Sequence, residues 1–199
     1  MKKIKYNKDK LFFTSDPHFF HENIIKFCDR PFESVEEMNL ALINNWNNKV
    51  PPDAHIFILG DLMLKGSIDM ARHILGRLNG IKHIIWGNHD YQNKLNRPTI
   101  TDMFESFGDI IEIIVDDEEI SGDGQRVVMC HYPMLSWNGS VRGTWQLFGH
   151  IHSGPLSSSK EKDIRLTPAQ YDVGVDNNNF TPLSYEEVKA IVTKQYLNK

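Results

Sequence analysis

The sequence predicts an α/β fold: a parallel sheet with helical crossovers in the first half, and a second, mixed sheet packed on it. Three observations predict this. Short apolar runs in the first half alternate with segments of helical spacing. The second half carries four strand candidates with few helical interruptions. No linker, internal repeat or low-complexity tract divides the 199 residues, so they read as one domain spanning 1–199, long enough to bury a substantial core.

Taken in order, "LFFTS" at 11–15 reads as an apolar strand that stops at "DPH". A helical stretch around 23–29 follows. Ser34 with Glu37 three residues on is a capping-box signal and opens a helix to about Asn47. "HIFIL" at 55–59 reads as a fully buried strand ending at "GDL". From Ser67 to Leu78, the spacing of Ile68, Ala71, Leu75 and Leu78 predicts a helix with one apolar side. "IKHIIW" at 81–86 is a third strand, ending at "GNHD". "DIIEIIVDD", "QRVVMC", "TWQLFGH" and "QYDVGVD" are the strand candidates of the second half. A last helix starts at Ser184, with Glu187 completing another capping box, and runs to the C-terminus. "SSSKEKD" at 157–163 has the composition of a mobile surface loop.

Composition excludes several classes. A formal charge of −4, from 22 basic and 26 acidic residues, argues against a general nucleic-acid binder, although a local cationic pocket remains compatible with it. The opening "MKKIKYNKDKLFF" has the lysines of a secretory leader without the apolar stretch that should follow them. Nothing approaches the roughly 20 apolar residues of a membrane span. Cys28 and Cys130 are too few for a disulfide framework, so a reducing, cytoplasmic setting is expected.

The nine histidines matter by position. Each strand ends in residues of the metal-ligand type. The first gives Asp16 and His18, two apart and thus able to face one side of an extended segment. The second gives Gly60-Asp61 and the third Gly87-Asn88-His89-Asp90. "VVMCHYP" gives His131, and "QLFGHIH" gives His150 and His152, again two apart. Singly, each has an ordinary explanation as a turn or cap. Together they gather after apolar strands, where ligands bind in open α/β sheets. The set suffices for two metal ions. Imidazoles and carboxylates suit manganese, iron, nickel, cobalt or zinc, and the absence of thiolates argues against a structural zinc site. Two divalent cations with two aspartates leave a positive centre even after a bridging hydroxide is added, which suits a phosphate ester oxygen. Paired ions about 3.5–4 Å apart also stabilise both the attacking and leaving oxygens of an in-line displacement.

The series "DPH", "GD", "GNHD", "CHYP" and "GHIH" resembles, in order and approximate spacing from residue 12 to 152, that of the calcineurin-like metallophosphoesterases. "DPHFFHENII" and "RPFESVEEM" are similar to segments of small bacterial and phage members, and "YDVGVDNNNFTPLSYEEV" to the family's closing strand and helix. The resemblance implies a four-layer αββα sandwich with two mixed β-sheets. It implies Asp16, His18 and His152 on a first metal, Asn88, His131 and His150 on a second, and Asp61 bridging both. The implied activity is hydrolysis of phosphate mono- or diesters by in-line attack of a metal-bridging hydroxide. His89 is implied as the catalytic histidine, protonating the departing oxygen or stabilising its charge. Asp90 either holds His89 in orientation or caps a helix.

Around this set, His21 is a candidate for contact with substrate or with the ligands, and alternatively a helix-start residue. Arg142, between His131 and His150, can grip phosphate with its fork of donors or stand in a solvated loop; Arg30 has the same two readings. Trp137 and Trp145 wall the cleft or belong to the core. His55, His73 and His83 read as structural or surface residues, and Cys130 as a small buried one. The expected partner is a small phosphorylated substrate, with manganese the first metal to consider. Two rivals stand beside this reading: a non-catalytic interaction scaffold on the same fold, and a nuclease, which would ordinarily want a positive surface.

Overall fold

The computed structural model describes residues 5–64, 66–92, 95, 98–120, 122–152 and 166–198. β1 (Lys5–Asn7) leads through a single 3-10 turn into β2 (Leu11–Thr14). α1 (Glu22–Phe27) and α2 (Val35–Lys49) follow, then β3 (His55–Ile58), α3 (Ile68–Arg77) and β4 (Ile81–Ile85). Ser34 and Ser67 cap α2 and α3, accepting from the amides of Glu37 and Met70 at 3.2 Å each. The return arm of the box expected at Ser34 lands one residue early: Glu37 accepts the Glu33 amide at 2.7 Å. Two short helices, α4 (Asn88–Gln92) and α5 (Pro98–Thr101), and β5 (Ser106–Gly108) complete the first half.

The second half supplies β6 (Ile110–Asp116), β7 (Gln125–Cys130), β8 (Trp145–Phe148), β9 (Gln170–Asp172), the two-residue β10 (Leu183–Ser184) and α6 (Tyr185–Leu197). At the start of α6 the predicted capping box is complete, with the Ser184 amide donating back to Glu187 at 2.8 Å. Five elements had no signal in the sequence: β1, α4, α5, β5 and β10. Each has five residues or fewer, too few to show a period. The predicted loop at 157–163 lies outside the described residues.

These strands form two five-stranded mixed sheets, ordered β10-β2-β3-β4-β5 and β1-β6-β7-β8-β9. In the first, β2 to β5 run parallel and β10 antiparallel. In the second, only the β6–β7 pairing is antiparallel. The mixed α/β sandwich predicted from the sequence is thus the observed class.

Alternation along the first sheet explains its unbroken apolar runs. Phe12, Ile56, Ile58 and Ile84 face one way and pack with Met38, Leu42 and Trp46 of α2 and Ile74 and Leu75 of α3. Leu11, Phe13, Phe57 and Ile85 face the other way, against Ile113, Val115, Val127, Met129 and Leu147 of the second sheet. A sheet buried on both faces needs apolar residues at every position. α6 adds Tyr185, Val188 and Val192 to this second cluster, with the Tyr185 ring stacked on Trp145 at 5.4 Å. Trp137 and Trp145 are both buried there, so they are core residues. His83 is core as well, stacked on Phe57 at 4.2 Å, whereas His73 is exposed.

The sheets meet where their strands end. Beyond β2 the Ser15 amide donates to Val173, just past β9, at 3.1 Å. Its hydroxyl donates to Leu59, just past β3, at 2.8 Å. The carboxyl ends of β2, β3 and β4 thereby face those of β7, β8 and β9.

Candidate metal centre

At this junction the structure brings together the strand-end residues. Asp16, His18 and His152 offer donor atoms that all lie within 4.8 Å of one another, and so do Asp61, His131 and His150. Asn88 joins the second group, its Oδ1 3.2 Å from His131 Nε2. Asp61 stands between the groups, with Oδ2 3.6 Å from His18 Nε2 and 3.5 Å from His131 Nε2.

The two aspartates are held alike. Each gives one oxygen to a backbone amide and turns the other to imidazoles. Asp16 Oδ2 accepts the His150 amide at 2.9 Å, and Oδ1 lies 3.6 Å from His152 Nε2. Asp61 Oδ1 accepts the His89 amide at 2.9 Å, leaving Oδ2 to the cluster. Both arrangements require a glycine just before the donating segment. A Cβ on Gly149 would collide with Asp16 Oδ2, and one on Gly87 with Asp61 Oδ1. The "GNH" and "GH" pairs in the sequence therefore record a carboxylate packed onto a bare α-carbon.

Backbone strain collects at the same place. Asp16, His18, Asp61, His150 and His152 all have positive φ, between 41° and 71°. The left-handed region costs an L-residue roughly 1–2 kcal/mol, and such outliers persist where the surroundings dictate them.

The electrostatics are those of a cage built for positive charge. Asp16 and Asp61 are each 1% exposed, and Asp16 Oδ1 is buried with no hydrogen-bond partner. Burial works against the charge of Asp61, yet His131 and His89 hold its carboxyl below the usual range. Burial likewise opposes protonation of His131 and His152. The bond to Asp61 with the charge of Asp16 still pushes His131 up to about 9, and the charge of Asp16 with the bond to Asp176 pushes His152 up to about 11. Burial, then the charges of His152 and Arg30, push His18 well below its ordinary value. Its Nε2 faces His152 Nε2 at 3.2 Å, a separation that needs a proton or a cation between two lone pairs. His131 Nδ1 donates to the Leu59 carbonyl at 2.7 Å, which turns Nε2 towards Asp61 and Asn88 and suits it to ligation once it gives up its proton. A borderline divalent cation fits these donors.

His89 differs from the rest. Its side chain is 26% exposed against 0–2% for Asp16, His18, Asp61 and His131, so it stands at the mouth of the cluster. Nε2 is 3.8 Å from Asp61 Oδ2, and Nδ1 is 3.2 Å from Gln92 Oε1. Asp90, expected either to orient that ring or to cap a helix, is bound elsewhere. Its fully buried carboxylate accepts the amides of Asp61, Leu62 and Gly87 at 2.8, 2.9 and 2.9 Å. Burial, then repulsion from Asp61, pushes it up to about 7. It fastens the turn after β3 to the turn after β4.

Of the three candidate substrate contacts, His21 meets a side chain of the cluster, with Nδ1 3.4 Å from His18 Nδ1 in a 5% exposed position. Arg30 is 3% exposed, and its donors are engaged by Asp176 and by the carbonyls of Asp16 and Pro17. It braces the site from behind. Arg142 is not at the site. It lines a surface pocket with Gln125 and Arg126 at the start of β7, six strand positions before His131 and so about 20 Å away. Two residues outside the predicted set join the site: Asp176, which accepts from His152 Nδ1 at 2.8 Å, and Cys28, grouped with both. The available signal for Asp176 was a carboxylate just past a strand, the pattern of Asp16 and Asp61.

No helix among the described residues is long and apolar enough to cross a membrane. No family model matches the chain. It is 28% identical over 183 residues to the gene 66 protein of Mycobacterium phage L5, covering 82% of this chain and 85% of that protein. Among solved structures, a protein of unknown function from Aquifex aeolicus matches with a TM-score of 0.65 over 91% of this chain and 98% of that one; at 22% identity this is a likeness of fold. An uncharacterized protein of Methanocaldococcus jannaschii is 34% identical over 191 residues, covering 93% of this chain and 92% of its own length. Identity at that level over nearly the whole of both chains makes this protein a member of the same family as that archaeal protein.

Proposed function

We propose that this protein is a phosphoesterase dependent on two divalent metal ions, of the calcineurin-like metallophosphoesterase type, hydrolysing phosphate mono- or diesters. One observation carries the reading: Asp61 Oδ2 stands 3.6 and 3.5 Å from imidazole nitrogens of two separate ligand groups. That is the placement of a carboxylate shared by a pair of ions. Asp16, His18 and His152 would hold one ion, Asn88, His131 and His150 the other, with Asp61 common to both. The ions, when bound, supply the positive charge that binds a phosphoryl group and activates water.

The chain's own residues divide the remaining work. The amides of His89 and His150 fix the two carboxylates, and the Leu59 carbonyl fixes His131. His89, the exposed imidazole at the mouth, meets the departing oxygen and donates a proton to it. A small phosphorylated substrate is favoured over nucleic acid by the net charge of −4. The two free cysteines support a reducing, cytoplasmic setting.

The test is turnover of a chromogenic phosphodiester and its monoester counterpart by metal-stripped protein, with manganese, iron, nickel, cobalt or zinc added back. Activity that a chelator abolishes and one of these ions restores is expected. No hydrolysis of either ester with any of the five ions, by folded protein, overturns the proposal.

A further inference from the structure

Asp176 belongs to none of the strand-end motifs, yet its carboxylate accepts three hydrogen bonds next to the cluster. It follows β9 in a 3-10 turn, with its side chain 3% exposed. It accepts His152 Nδ1 at 2.8 Å, Arg30 Nε at 2.7 Å and Arg30 Nη2 at 2.8 Å. Arg30 donates onward to the carbonyls of Asp16 and Pro17, both at 2.9 Å. A closed chain of hydrogen bonds therefore runs from the His152 ring, through Asp176 and Arg30, to the backbone of Asp16.

This chain has three physical consequences. Donation from Nδ1 turns Nε2 of His152 towards Asp16 Oδ1, 3.6 Å away, where it can serve as a ligand once its own proton is released. The guanidinium balances the Asp176 charge, so the pair contributes orientation with little net field. It also links the segment after β8 to the segment after β2, which fixes the gap between His152 and Asp16. In the second ligand group His131 is oriented by a different partner, the Leu59 carbonyl.

We infer that Asp176, with Arg30, is a positioning residue for one metal position only, the one formed by Asp16, His18 and His152, so that the two positions can be emptied separately. This rests on the two-ion reading above. Partners of this kind typically alter metal affinity roughly 10–100-fold.

The experiment is manganese titration of metal-free wild type and Asp176→Asn, followed by calorimetry and electron paramagnetic resonance, with thermal melts of both metal-free proteins as a folding control. Wild type is expected to take two ions and show a spin-coupled pair. The variant should keep one ion at near wild-type affinity, lose roughly 10–100-fold at the other, and show the six-line spectrum of isolated manganese at the same ion concentration. Asp176→Glu, which keeps the carboxylate, should recover part of the coupled signal.

Two tight ions and an unaltered coupled spectrum in Asp176→Asn overturn the inference and leave the two-ion reading standing. Equal loss of both ions also overturns it. A wild type that binds no pair of ions removes the two-ion reading, and the inference with it. Should the variant fail the folding control, nitrogen-15 spectra of metal-loaded wild type decide: a proton on His152 Nδ1 supports the inference, and one on Nε2 overturns it.

Discussion

Asp90 Oδ2 lies 2.8 Å from the backbone nitrogen of Asp61 and accepts its hydrogen. The same carboxylate takes the amides of Leu62 and Gly87, so one buried side chain satisfies three donors on two turns. Asp90→Ala leaves all three without a partner, at about 1–3 kcal/mol each. A loss of at least about 3 kcal/mol in urea unfolding is expected, with a smaller loss for Asp90→Asn, which keeps an acceptor. Equal stability of Asp90→Ala and wild type would show that the clamp is not needed.

His89→Ala is expected to lower kcat by about 10²–10⁴-fold while bound metal stays near that of wild type. The ring contributes no hydrogen bond to the amide that holds Asp61, because that donor is backbone. Steady-state kinetics beside elemental analysis of the same samples gives the answer. A fully active variant would take His89 out of the reaction.

Gly149→Ala should act on metal content first. The new methyl group would collide with Asp16 Oδ2 and with Ser15 Oγ, displacing the carboxylate from the His150 amide. Reduced metal per chain in a folded protein is expected, read by elemental analysis and circular dichroism. Gly76→Ala, in α3, meets no atom and serves as the silent control.

His83 gives the stability an acid-side slope. Burial, with the charge of His55, pushes it down to about 4, and it is bonded to Ser106 Oγ at 2.7 Å and His55 Nδ1 at 3.0 Å. Below pH 6.5 the unfolded chain protonates this imidazole while the folded one does not. Stability from this residue is therefore full above about pH 6.5, falls as pH drops towards 4, and is level below that. The loss is up to about 3 kcal/mol. It is read as the difference between wild type and His83→Gln in urea unfolding, because buried His18, pushed below its ordinary value, and buried Asp90, pushed above its own, add pH-dependent terms of their own. Parallel curves for the two proteins would assign the slope elsewhere.

Much of the site is legible in the sequence because chain order and spatial order agree at the ends of parallel strands. Asp16, Asp61 and Asn88 each follow a strand of one parallel sheet, so the spacing alone brings them to one edge. Arg142 fails for the complementary reason. β7 and β8 are parallel, so the segment between them must return to the starting end of the sheet, and a residue three positions before Trp145 arrives far from His131. Proximity in sequence to His131 and His150 misleads once that direction is ignored. Asp176 is hidden differently: "GVDNNNF" has ordinary turn composition, and its partner Arg30 is 146 positions away. Asp90 has the spacing of an orienting residue, but its role depends on which amides a neighbouring turn presents. Short elements such as β5 and α5 carry too few residues for a period, and only their pairing in the folded chain defines them.

The donors are split between the layers: Asp16, His18, Asp61 and Asn88 hang from one sheet, His131, His150 and His152 from the other. Each proposed ligand group draws on both sheets, so neither group is complete until the sheets have docked. An ion seated there would act as a rivet across the seam, raising the melting temperature in proportion to the logarithm of its free concentration over its dissociation constant. A half-folded chain would then present only part of each group.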